Sequence, residues 1–116
     1  MQIEVKGRNV SVTEDLREHV ERRFSKVGRQ VSELARLEIE VAHERDRANP
    51  GALIVEATLF LKGITLRAKD TSRDVKHAVN LCEEELGRQV KRHRDKRRAR
   101  REAHAASPRS GIQPAL

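Results

Sequence analysis

Residues 53–70 read LIVEATLFLKGITLRAKD, and this stretch decides the fold of the chain. Apolar side chains recur at every second position along 53–61 and again along 64–69, which is the spacing of a half-buried β-strand. Lys62 and Gly63 separate the two runs, so the strands should form a β-hairpin. The apolar residues expected on the core side are Leu53, Val55, Ala57, Leu59, Leu61, Ile64, Leu66 and Ala68.

Two further strands precede the hairpin. The same alternation runs along residues 2–8 and 37–42, and residues 45–51 (RDRANPG) predict the loop that leads into the hairpin. The other face of this four-stranded sheet would carry polar side chains of both signs and should be exposed to water. They are Glu4, Lys6, Arg8, Glu38, Glu40, Glu56, Thr58, Arg67 and Lys69.

Two amphipathic helices supply the layer that covers the apolar face. Thr13 is a suitable N-cap for the first, and Asp70, Thr71 and Ser72 offer caps for the second. The apolar residues at helical spacing are Leu16, Val20, Phe24 and Val27, and then Val75, Val79, Cys82, Leu86 and Val90. The order β-α-β-β-β-α predicts an α+β fold with one four-stranded sheet, both helices on one face, and a long, projecting second helix.

The basic segment, residues 88–101, reads RQVKRHRDKRRARR and holds most of the positive charge. It has nine Lys or Arg against one acid, whereas residues 1–87 have fifteen basic and sixteen acidic side chains. Unpaired charges at this density are too costly to bury, so the segment should meet an anion in solution, and nucleic-acid phosphates are the densest. Phe24 and Phe60 are the only aromatic residues. The protein should therefore recognise the backbone and the shape of a nucleic acid rather than stack on its bases.

The length and composition predict one domain, residues 1–101, followed by a disordered tail, residues 102–116. Cys82 is the single cysteine and lies on an apolar stripe, which predicts a buried, inert thiol and fits a reducing cytoplasm. No secretory signal and no apolar run long enough for a membrane span occur. The scattered histidines have no metal-ligand spacing, and no catalytic arrangement occurs, so we expect neither an enzyme nor a cofactor.

Three strings resemble the ribosome hibernation-promoting factors, also called ribosome-associated translation inhibitors. They are QIEVKGRNVSVTEDLREHVERRFSKV (2–27), KGITLRAKD (62–70) and RDVKHAVNLCEEELGRQVKRHRDK (73–96), and the resemblance covers residues 2–98. It implies the same β-α-β-β-β-α fold. It also implies binding to the small (30S) ribosomal subunit and its 16S rRNA, between head and body, in competition with mRNA and the A- and P-site tRNAs. Translation would be blocked while idle ribosomes are preserved.

The chain departs from the family pattern in two ways. Lys76 stands where the family often has an aromatic residue, and Asn80 stands where an acid is usual. Long members also carry a C-terminal dimerisation domain that this chain lacks. We therefore expect either a short member or a fragment of a long one, monomeric as given.

The residues expected to contact RNA are basic and lie on both helices and at the end of the first strand. They are Arg8, Arg22, Arg23, Lys26, Arg88, Lys91, Arg92, Arg94, Lys96, Arg97 and Arg98. Asn9 could be a turn residue, a Glu84–Arg88 pair could support the helix, and the acidic run 83–85 is explained by a solvated face. Two alternative functions are open: a general double-stranded RNA-binding module, or a domain whose basic helix docks an acidic or membrane partner. The absence of large apolar residues between Val90 and Ile112 disfavours a lipid surface.

Overall fold

A computed structural model describes residues 1–45, 48 and 50–112, with side chains described through residue 104. Within these residues the chain forms four strands and two helices in the predicted order. They are β1 (Gln2–Arg8), α1 (Glu14–Gly28), β2 (Arg36–His43), β3 (Leu53–Leu61), β4 (Ile64–Ser72) and α2 (Val75–Ile112). The predicted α+β fold is confirmed.

The sheet has the order β1-β2-β3-β4. β1 is parallel to β2, while β2–β3 and β3–β4 are antiparallel. A parallel pair needs a crossover connection, and α1 supplies it. The tight β3–β4 turn depends on Gly63, whose φ of 80° lies in the left-handed region that favours glycine.

Both helices pack on one face of the sheet through the predicted apolar stripes. In α1 the buried residues are Leu16, Val20, Phe24 and Val27, and in α2 they include Val79, Cys82, Leu86 and Val90. Thr13 caps α1, because its Oγ1 accepts a hydrogen bond from Leu16 N at 3.1 Å. The Cys82 thiol donates to Ala68 O at 3.3 Å, and burial raises its pKa to about 12, so it stays protonated.

The predicted caps of the second helix are wrong. Asp70, Thr71 and Ser72 are the last residues of β4, where Asp70 pairs with Val55. The hairpin continues because β3 begins at residue 53, and its first residues need ladder partners. α2 instead begins beside Asp74, whose Oδ1 accepts a hydrogen bond from the backbone N–H of Lys76 at 3.0 Å.

The far end of α2 extends beyond the sheet. Val90 is the last residue of its buried stripe, whereas the helix is assigned through Ile112, and the molecule measures 68 × 31 × 18 Å. The boundary predicted after residue 101 therefore falls inside this helix, and the division into domain and tail stays a prediction. Residues 113–116, and residues 46, 47 and 49 of the predicted loop, lie outside the described residues.

Candidate nucleic-acid interface

α1 and α2 lie side by side and run in the same direction. Three of the polar pairs between them share one offset, because their partners are 61 residues apart. The pairs are Asp15 Oδ2 with Lys76 Nζ at 2.6 Å, His19 Nε2 with Asn80 Oδ1 at 2.9 Å, and Arg23 Nη2 with Glu84 Oε1 at 3.4 Å. This constant offset keeps α1 beside the first half of α2, before the basic segment begins.

The two positions that depart from the family pattern, Lys76 and Asn80, both contact α1. The hydrogen bond and charge of Lys76 lower the pKa of Asp15 below its ordinary value of 3.8. Both side chains thus serve the pairing of the two helices, and their polar groups are partly used inside the molecule.

The basic segment presents its cations to solvent. Lys91, Arg92, Arg94, Lys96, Arg97 and Arg98 are all exposed. None of these six forms an ion pair with a residue that the structure describes. Arg92 attracts the Glu85 carboxylate electrostatically, but without an ion-pair contact. Because successive residues of an α-helix turn by about 100°, the six cations surround the helix on all sides.

Arg88 is held at the base of the segment. Its guanidinium donates to Glu85 Oε2, from Nη2 at 2.7 Å and from Nε at 3.2 Å. These hydrogen bonds, together with one from Gln89, lower the pKa of Glu85, and the pairing raises the pKa of Arg88. The helix-supporting pair is therefore Glu85–Arg88, and the Glu84–Arg88 pair considered from the sequence is not formed.

Among the α1 candidates, Arg22 and Lys26 are exposed and line a shallow depression beside Asn80. Arg23 differs, because its Nε lies 2.9 Å from Glu83 Oε1 and its charge is compensated inside the molecule. The Nε–H does not point at that oxygen, so the contact is an ion pair rather than a hydrogen bond. Glu83 is buried, whereas Glu84 is exposed and Glu85 is half-buried, so the expectation of a solvated acidic face is wrong for Glu83.

Arg8 lies at the opposite end of the molecule from the basic segment. It ends β1 on the open face of the sheet, where its Nη2 is 2.7 Å from Glu40 Oε1. In the sheet register this end is the one from which α2 starts, whereas the basic segment leaves the body next to Leu61. The structure therefore does not bring Arg8 together with the other candidates. Asn9 has a φ of 56°, as expected for a turn residue.

Neither aromatic residue is a free stacking surface. Phe24 is fully buried, and the Arg36 guanidinium covers the Phe60 ring at 4.5 Å from its centroid. Two cations that we did not propose as contacts line one cleft: Lys62, at the base of the basic segment, and Arg101, the last residue of that segment. Lys62 is distant in sequence, and only the packing of the β3–β4 turn against α2 brings it there.

A compact α+β body with one helix that carries cations without ion-pair partners among the described residues into solvent is typical of proteins that bind polyanions through charge. Residues 3–98 match the family described as Sigma 54 modulation protein / S30EA ribosomal protein. The chain belongs to this family. No helix in the described part of the chain is long and apolar enough to cross a bilayer.

Two curated relatives are similar over the same region. A ribosome hibernation promotion factor of Lactococcus lactis subsp. cremoris is 33% identical over 96 residues, which are 78% of this chain and 48% of that protein. A ribosome hibernation promoting factor of Azotobacter vinelandii is 27% identical over 96 residues, 83% of this chain and 85% of that protein. The chain therefore spans about half of the first relative and most of the second.

Two solved structures share the fold. A ribosomal subunit interface protein from Coxiella burnetii has a TM-score of 0.69 at 24% identity, over 82% of this chain and 99% of that one. The N-terminal domain of Protein Y from Thermus thermophilus also has a TM-score of 0.69, at 22% identity, over 80% and 99% of the two chains. At 24% and 22% identity, these two structures support the fold of this chain and nothing beyond it.

Proposed function

We propose that this protein is a cytoplasmic ribosome hibernation factor that acts by binding rather than by catalysis. It would bind the small (30S) ribosomal subunit in the channel for mRNA and tRNA, block translation and preserve the idle ribosome. The observation that carries this proposal is the set of six unpaired cations, Lys91 to Arg98, on a helix that leaves a compact body. The names of the two curated relatives support it.

In this mechanism the charge of the basic segment attaches the protein to rRNA, and the shape of the body blocks the channel. The basic segment attracts rRNA phosphates, and each neutralised phosphate releases counterions from the RNA. The helix continues without interruption from the core into the segment, so the cations are held in fixed positions relative to the body. The body then occupies the space that mRNA and the A- and P-site tRNAs need. Neither step requires a cofactor or a reactive side chain.

The proposal is tested by co-sedimentation of the purified protein with 30S subunits. The variant Lys91→Glu/Arg92→Glu/Arg94→Glu should lose binding while keeping the melting temperature of the wild type. The matched control is Arg17→Glu/Arg45→Glu/Arg73→Glu, which changes the net charge equally on the body at the end opposite the basic segment. It should retain most binding. Equal loss in both variants, or none in the first, would contradict the proposal.

A competition experiment separates the ribosome function from general double-stranded RNA binding. Initiator tRNA with mRNA should displace the bound protein from the 30S subunit, because they need the same channel. Free duplex RNA of the same total phosphate concentration should displace it much less. Displacement by duplex RNA alone would support the general module instead.

A further inference from the structure

A cleft of about 180 Å³ opens where the basic segment leaves the body. Its walls come from three parts of the chain: the connection after α1, the β3–β4 turn, and α2. Val31, Leu61 and Val90 are its apolar residues, and all three pack on or within the hydrophobic core. Half-buried His93 stands at its edge.

Four cations surround these apolar residues: Lys62, Arg94, Arg97 and Arg101. All four are exposed, and none forms an ion pair with a described residue. No Asp or Glu lines the cleft. The complementary ligand is therefore an anion with an apolar, compact body, because a simple phosphate would leave the apolar floor wet.

Two other depressions lack this combination. The one around Arg8 includes Glu40, Glu44 and Glu56, which would repel an anion. The shallow one on α1 around Arg22 is free of acids, but it has no apolar floor.

We propose that this cleft binds one unstacked nucleotide of the RNA that the basic segment holds. The base would lie against the floor formed by Val31 and Leu61, beside the imidazole of His93, and its flanking phosphates would meet Arg94 and Arg97. Arg94 and Arg97 are three residues apart on one side of α2, so both can contact phosphates of the same RNA strand. Histidine is one of the side chains on which the bases of single-stranded RNA stack, and His93 would have this role here. The inference rests on the proposed function and names the form of RNA that the segment prefers.

The apolar floor can be covered without removing a charge. Gln30 lines the cleft, is exposed, and makes no side-chain hydrogen bond among the described residues. Gln30→Met should lay a flexible apolar side chain of similar length over Val31 and Leu61 and leave the fold intact. Thr65→Met is the matched control, because Thr65 is also exposed and lies outside the cleft.

The test compares two RNA probes by fluorescence anisotropy. One is a single-stranded 12-nucleotide RNA, and the other has the same ribose–phosphate backbone with its four central bases removed. Wild-type protein should bind the intact RNA about tenfold more tightly, the scale of one stacked base. Gln30→Met should bind both probes equally, at the affinity of wild type for the abasic RNA. Thr65→Met should behave as wild type.

Each other outcome is decisive. Equal binding of the two probes by wild type, or an undiminished preference in Gln30→Met, overturns the cleft while leaving the basic segment as the RNA anchor. Failure to bind either probe at low salt overturns both the cleft and the basic segment as sites for single-stranded RNA, whereas the proposed function is tested separately by co-sedimentation with 30S subunits. A polyglutamate probe that binds wild type and is weakened by Gln30→Met would assign the cleft to an acidic protein partner and overturn the nucleotide site.

Discussion

Arg23 of α1 and Glu83 of α2 form an ion pair across the helix–helix interface, with 2.9 Å between Nε and Oε1. The Glu83 side chain is only 10% exposed, and that of Arg23 is 32% exposed. A carboxylate this far from water needs a counter-charge, and no other cation forms an ion pair with Glu83 among the described residues. The pair therefore belongs to the packing of the helices, and Arg23 is a weaker RNA candidate than its neighbours.

Arg23→Ala should destabilise the protein by about 1–3 kcal/mol, because it leaves the Glu83 carboxylate buried without a partner. Arg22→Ala is the control, since Arg22 is exposed and forms no ion pair with a described residue, and its effect on stability should stay within about 0.5 kcal/mol. Urea unfolding measures both. If Arg22 contacts rRNA, its variant should lower ribosome affinity more than Arg23→Ala does. The reverse order would show that the Arg23 guanidinium leaves Glu83 for RNA.

Binding to ribosomes should weaken steeply with salt. If the six unpaired cations of the basic segment each neutralise one phosphate, the slope of log affinity against log salt is about −5 by the rule for duplex DNA. Affinity should then fall on the order of a thousandfold between 50 and 200 mM salt. Arg97→Ala should reduce the steepness by about one. A flat salt profile would show that shape and apolar contact, rather than phosphate neutralisation, hold the protein.

Asp70→Asn should stabilise the protein near neutral pH. Burial raises the pKa of Asp70 above its ordinary value of 3.8, and repulsion by Glu85 adds to this. The unfolded chain therefore loses this proton first as pH rises, so ionisation of Asp70 costs stability above the unfolded pKa, and the cost levels off above the folded pKa. The asparagine variant cannot ionise and escapes the cost.

Thermal unfolding at pH 4 and pH 7 measures this effect. The advantage of Asp70→Asn over wild type should be larger at pH 7 than at pH 4. Glu21→Gln is the control, because Glu21 is exposed and forms no ion pair within the described part of the chain, and this variant should stay close to wild type at both pH values. An Asp70→Asn variant less stable than wild type at pH 7 would mean that the carboxylate makes a favourable contact that outweighs its burial.

Gly7→Ala should destabilise β1 and the turn that follows it. A Cβ at this position would lie 1.9 Å from Val10 O, a backbone atom that cannot move without shifting the turn. The expected loss is about 1–3 kcal/mol in the free energy of unfolding. Gly28→Ala is the control, because its Cβ would meet only the Met1 side chain at 3.4 Å or more, and alanine favours the helix. Unchanged stability in Gly7→Ala would show that the turn can open at little cost.

The strands and helices with a clear apolar periodicity could be predicted from the sequence. Residues whose types suit two different local structures could not. The alternation through Val55 and Leu59 and the helical stripe through Val79 have one physical explanation each, and both were correct. Asp70 to Ser72 misled, because Asp, Thr and Ser suit a helix cap and an exposed strand end equally well. The ion pair of Arg23 could not be predicted, for another reason. Its partner is 60 residues away, and only the pairing of the helices shows that this charge is already used.

Val90 is the last buried residue of α2 up to His104, where the described side chains end, and it marks where one uninterrupted helix passes from the interior into solvent. From there to His104 the helix rises by about 21 Å at 1.5 Å per residue. The residues of α2 up to Val90 stabilise the fold, whereas the residues after it set how far the cations extend from the body. Substitutions that change the length or the charge of the outer part would therefore leave the core contacts unchanged.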